Sequence, residues 1–145
     1  MAYISASDLN ARLGATLYGR LTDRVNGTTP NSTVAGEICA EAEAEADSYL
    51  CRQYTTPVDL VAHPELATLL RSRVLDLAEF LAWQASPFVN DLPGRVRVLG
   101  DEARRWLQRV ASGAVELPTG STPAEDTPRY RSGRQGFATQ ELDGL

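Results

Sequence analysis

Lysine is absent from this 145-residue chain: all 14 basic residues are arginine, set against 19 acidic ones for a net charge of −5. There is one histidine, His63, and there are two cysteines, Cys39 and Cys51. Each shortage excludes something. A single histidine cannot supply a His-rich metal site, and no serine or cysteine stands near His63 to form a nucleophile–base pair. Its place before Pro64, a favoured first helical residue, marks it as a helix-start residue. The cysteines fall on what reads as one helix. Twelve residues at about 1.5 Å each separate them by roughly 18 Å, beyond disulfide reach, so they are expected to be buried free thiols. No apolar run approaches the roughly 20 residues of a membrane span. The start, Met1-Ala2-Tyr3-Ile4-Ser5, lacks the basic-then-apolar pattern of a secretory signal, so action in the cytoplasm, or in something assembled there, is expected. The acidic balance disfavours a protein whose main task is gripping nucleic-acid backbone. An all-arginine basic set reflects codon composition in a GC-rich genome, yet it also brings rigid, bidentate donors suited to holding carboxylates across interfaces.

What is present is helical periodicity. Ser5 and Asp8 offer caps for a short helix that Gly14 should stop near Leu13, and a second short helix covers Ala15 to Thr22. Val25 to Ser32 is turn-forming throughout. A long helix is predicted from Thr33 to Tyr54, with Val34, Ile38, Ala42, Ala46, Tyr49, Leu50 and Tyr54 as its apolar stripe. A second runs from Pro64 to Ala85, stopped by Pro87. Leu66, Leu70, Val74, Leu77 and Leu81 form one of its faces, widened by Leu69, Phe80 and Trp83, which makes it the expected central helix. The third starts at Leu92 or Gly94 and ends at Ser112, burying Val96, Leu99, Ala103, Leu107 and Val110 with Trp106 adjoining. The fold expected is all-α: a small bundle of about three long and two short helices over residues 1–117. A linker and C-terminal docking arm follow over residues 118–145.

No catalytic or metal-binding set emerges, no phosphate-binding glycine motif is present, and no cofactor is implied. Two charged features stand out instead. Glu37, Glu41 and Glu45 form an acidic line at spacing of four, with Glu43 and Asp47 beside it. Such a line is ordinarily a solvated face. Its alternatives are a divalent-ion or acid/base site, which lacks convergent ligands, and a surface facing a channel or a neighbouring subunit. Arg97, Arg104, Arg105 and Arg109, with Arg95, give the third long helix a basic side. Opposite charges on different helices suit subunits that pack head to tail around a ring. The terminal segment carries Arg129, Tyr130, Arg131, Arg134, Phe137, Leu142 and Leu145, residue types enriched at interface centres; it reads either as a segment packed back onto its own domain or, in the functional reading, as a partner-binding arm.

These residues also carry a resemblance. Tyr3, Asp8-Leu9 and Arg12-Leu13-Gly14 come first, then Leu21-Thr22-Asp23-Arg24 before an Asn/Gly turn. Ala44 to Leu50 with Arg52, Tyr54 and Pro57, Asp76-Leu77-Ala78, Ser112-Gly113 with Leu117, and Arg134-Gln135-Gly136-Phe137-Ala138-Thr139 follow in order. Together they resemble the Mu-like phage neck proteins, relatives of the head–tail connector (adaptor) family. The chain departs from that pattern at Glu79 to Trp83 and in a long linker from Leu117 to Pro128. The resemblance implies a non-enzymatic virion protein, assembled in the bacterial cytoplasm, forming a ring of roughly twelve copies with cyclic closure. That ring would sit in the neck below the portal, extend the DNA channel without reading sequence, and offer a platform to a stopper or tail-completion protein. A different class of function, a small helical DNA-binding regulator using the Arg-bearing helix, is the alternative, and an enzyme built on the acidic helix ranks last.

Overall fold

The computed structural model describes residues 3–62, 64–115 and 117, and within them the chain forms five α-helices and no strand. Helix α1 (Ala6–Leu13) opens with a reciprocal cap: the Asp8 backbone N–H donates to the Ser5 hydroxyl, and the Ser5 N–H donates to the Asp8 carboxylate. Gly14, at φ +86°, ends α1 and directly begins α2 (Ala15–Thr22), a turn that a side-chain-bearing residue would strain. Asn31 caps α3 (Ser32–Leu50) by accepting from the Thr33 and Val34 N–H groups. Helix α4 (Pro64–Ala85) and helix α5 (Gly94–Ala111) complete the bundle.

Helix α4 packs against each of the other four helices. Leu66, Leu70, Val74, Leu77 and Ala78 are fully buried along it, and each such leucine contributes roughly 1.5–3 kcal/mol. Opposing α3 is narrow: Ala35, Ala42 and Ala46 are fully buried and let the backbones approach. Gly100 does the same for α5, because a Cβ there would lie 3.0 Å from the Phe80 ring. Tyr3 ties the amino-terminal segment to this core. Its N–H and that of Ile4 donate to Glu43, and its hydroxyl donates to Asp47 at 2.6 Å while accepting the Val58 N–H at 2.9 Å. Burial, then the bond to Asp47, pushes the Tyr3 phenol well above its ordinary pKa, so it stays a donor.

The loop after α2 is organised by two residues. Thr22 donates to the Tyr18 carbonyl and accepts the Asn31 N–H. The Asp23 carboxylate accepts four backbone N–H groups: Val25 and Asn26 on one oxygen, Thr28 and Thr29 on the other. The loop lies directly over Gly19, where a Cβ would stand 2.7 Å from the Thr28 carbonyl oxygen. The short Leu-Thr-Asp-Arg sequence is thus a loop-folding device.

Several sequence expectations need correction. The first long helix ends at Leu50 rather than Tyr54, since Gln53 and Arg52 turn back onto Leu50 and Tyr49 through three-residue hydrogen bonds. Tyr54 is still buried, and its hydroxyl accepts the Leu117 N–H at 2.9 Å. Cys51 therefore lies just past the helix and is exposed, whereas Cys39 is buried as expected. Leu69 is 39% exposed and does not widen the core face. Ala35 and Cys39 join the buried side of α3, while Val34, Tyr49, Leu81 and Leu99 are only half-buried. The helix-start role of His63 and the arm from 118 onward lie outside the described residues.

The four amide donors hold the Asp23 carboxyl well below the usual carboxylate range, the Thr29 bond first among them. A depressed folded-state pKa adds stability that is fully present above the unfolded value, about 3.9, and is lost as pH falls through the folded one. Asp23→Asn places an NH2 against two of the four N–H donors and should melt at a lower temperature at pH 7. Its deficit relative to the native chain should shrink below about pH 4. Melts followed by circular dichroism at pH 7 and at pH 3 check this; an equal deficit at both refutes the assignment.

Candidate functional site

Among the described residues no group of three or more His, Cys, Asp or Glu side chains is arranged to hold a metal ion. Burial, aided by the charges of Glu43 and Asp8, pushes the Cys39 thiol up to about 11, which leaves it protonated and unreactive at neutral pH. What the structure offers is charge, buried in one place and displayed in others.

The buried set stands on α4. Asp76 and Glu79 are 5% and 2% exposed, and both meet the Arg12 guanidinium of α1, at 2.8 and 3.2 Å. Arg95, at the start of α5, reaches the other Glu79 oxygen at 3.4 Å. Burial works to lower the Arg12 pKa, but its bonds to Asp76 and Glu79 outweigh that and raise it. These ions therefore join α1, α4 and α5. None of the four stood out in the sequence as ion partners. The signal for them was two carboxylates, three residues apart, in the apolar second half of α4 from Val74 to Trp83.

The acidic line does not stay together. Because residues four apart advance 400° around a helix, each step drifts about 40°. Glu45 falls at the border with α5, where Arg104 grips it with two bonds of 2.6 and 3.2 Å. Glu37 and Glu41 turn outward and are exposed. On the other border of α3, Glu43 and Asp47 are taken up by Tyr3 and Ile4.

The basic side of α5 likewise divides into separate environments. Arg104 stacks over the Phe80 ring at 4.9 Å while bonded to Glu45, and that bond raises its pKa. Arg97 is exposed and lines a cleft of about 320 Å³ with Trp83, Asp91 and Leu92. Arg105 and Arg109 line another, of about 200 Å³, with Glu102, Trp106 and Arg73 of α4. Arg73 was not singled out in the sequence, where it stands in the short polar run Arg71-Ser72-Arg73 of α4. The arm residues Arg129, Tyr130, Arg131, Arg134, Phe137, Leu142 and Leu145 lie outside the described residues.

Comparison with known proteins gives one family: the model described as Bacteriophage Mu, Gp36 matches residues 3–134. No curated protein matches the chain.

Removing one member of the buried ion set leaves others uncompensated. Arg12→Met should destabilise the fold by roughly 3 kcal/mol, the low end for a buried pair because Arg12 is a quarter exposed. The triple variant R12M/D76L/E79M, which removes the buried charges as well, should recover much of that loss. Urea unfolding of both variants checks this; a triple variant weaker than the single one refutes it.

Proposed function

The chain belongs to the Bacteriophage Mu, Gp36 family and is a phage structural protein, and on that premise we propose that it is a head–tail connector. In this reading several copies form a closed ring in the neck of the particle, below the portal protein. The ring extends the channel through which DNA passes without sequence-specific contact and presents a platform to a stopper or tail-completion protein. Its work is geometric: it converts the symmetry of one component into a surface that the next can bind.

The observation that carries the reading is the extent of the family match, residues 3–134, which takes in the whole helical bundle and reaches beyond it. The structure supports it in two ways. The buried apolar residues of all five helices pack into one core, and the cleft at Arg73, Glu102, Arg105 and Arg109 is lined largely by charged side chains. Among the described residues no helix is long and apolar enough to cross a membrane. Association then falls to charged surfaces and to the arm after Leu117. Leu117, the last described residue, is held to the bundle, its N–H bonded to the hydroxyl of the buried Tyr54.

Deleting Arg129 through Leu145 should leave a chain with the helical content of the native bundle that no longer joins portal-containing particles. Quantitative mass spectrometry of purified particles, with circular dichroism of the truncated protein, measures both. Normal incorporation of the truncated chain refutes the arm's role. Absence of the full-length protein from the head–tail junction in symmetry-resolved particle images refutes the connector assignment.

A further inference from the structure

We infer that the cleft between α4 and α5 is a socket for a second copy of this chain, filled by Glu37 and Glu41 of that copy's α3. The inference rests on the ring reading above and names the joint such a ring needs. The socket has three guanidinium groups, Arg73, Arg105 and Arg109, against one carboxylate, Glu102. None of the three arginines takes part in an ion pair among the described residues. Arg73 lies over the Trp106 ring, 5.9 Å from its centre, and its Nε–H is buried with no acceptor among the described residues. Arg73, half-buried, lines the cleft and adds its positive charge to those of Arg105 and Arg109. Trp106, almost wholly buried, closes the other wall.

The occupant is set by spacing as well as charge. Glu37 and Glu41 are exposed, take part in no ion pair among the described residues, and stand one turn apart, about 6 Å along α3. Arg105 and Arg109 stand one turn apart on α5, with the same rise. Two helices laid side by side therefore bring both carboxylates onto both guanidiniums in one register, each pair able to form two parallel hydrogen bonds. The exposed carboxylates Asp101 and Glu102 lie on α5 itself and offer no such pair from a second helix.

One copy does not close this contact on itself. The flank of α5 that meets its own α3 is the Arg104 flank, joined through Glu45, whereas Arg105 and Arg109 open on the side shared with Arg73 of α4. Acidic plug and basic socket are thus different patches of one molecule, the arrangement of a heterologous, head-to-tail interface that closes into a ring when the rotation permits. The plug carboxylates are then sealed between neighbours and do not line the channel.

The test uses full-length chains carrying R105E/R109E, E37R/E41R, or all four changes, each confirmed as folded by circular dichroism. Assembly is followed by native mass spectrometry and sedimentation across a concentration series. The native chain should assemble, and each double variant should assemble about tenfold more weakly or worse. An equal mixture of the two double variants, and the fourfold variant alone, should assemble as the native chain does, because reversed plugs then meet reversed sockets. A double variant that assembles normally, or a mixture that fails to assemble, overturns the socket and leaves the ring reading intact. A native chain that stays monomeric in solution and forms no ring in particle images removes the ring reading, and the socket with it. Salt-sensitive binding of a short DNA duplex that R105E/R109E abolishes would assign the cleft to a polyanion instead, and overturn it as well.

Discussion

Two carboxylates, Asp76 and Glu79, sit on the helix that every other helix packs against, and neither is exposed enough to be served by water. An unpaired charge at such a depth costs several kcal/mol, more than any single apolar contact returns. The cations that meet them must therefore come from the elements folded over α4: Arg12 from α1 and Arg95 from the first turn of α5. An apolar helix wrapped by apolar neighbours can slide or rotate at little cost, because one leucine face resembles the next. A helix with two buried carboxylates cannot, since a shift of one residue parts both from their arginines. The ion set contributes less to net stability than to choosing one packing arrangement among several.

The same principle, a polar atom that must find a specific partner, recurs at the edges of the bundle. Tyr3 gathers Glu43 on its backbone N–H and Asp47 and Val58 on its hydroxyl, fixing α3 and the loop after it against the amino-terminal segment. Asp23 gathers four amides and folds the loop between α2 and α3. Tyr54 and Gln53 hold the far end, through Leu117 and the Ala111 carbonyl. Small residues then let the helices settle at the distance these anchors set, Gly19 under the Thr28 carbonyl and Gly100 under the Phe80 ring.

How far the sequence discloses this depends on whether the deciding interaction is local. Gly14, Pro64 and Gly94 act on their own backbone, and the helix limits they predict agree with the structure to within a residue or two. The end of α3 is the exception, because nothing in Cys51 to Tyr54 forbids a helix. There the chain turns so that Tyr54 can face the core and Leu117, 63 residues away. Arg12 and Asp76 are 64 residues apart, and periodicity carries no information at that range. It also gives the angle of a side chain on its own helix but not what stands opposite. Arg97, Arg104, Arg105 and Arg109 therefore read as one basic side, although the neighbours of α5 sort them into three settings. The acidic line divides for the same reason: of its three members, Glu45 alone is paired with an arginine among the described residues.

That division bears on how a connector can assemble. A subunit that keeps most of its large apolar side chains in its own core, Val25, Val61 and Val98 being the most exposed exceptions, is less prone to aggregate before assembly, and charged groups that tolerate water beforehand suit its contacts. Charged pairs meet this need, since each half is soluble and the whole gains from exclusion of water only when docked. Arginine fits the task better than lysine: its planar fork holds a carboxylate in one orientation, so the angle between neighbouring copies is defined as well as their attraction. A closed ring needs that angle more than it needs affinity, because a small error repeated at every joint leaves the circle open. In the proposed ring, the rigid ion set inside the subunit and paired charges between subunits would serve one requirement, the first fixing the direction in which the second points.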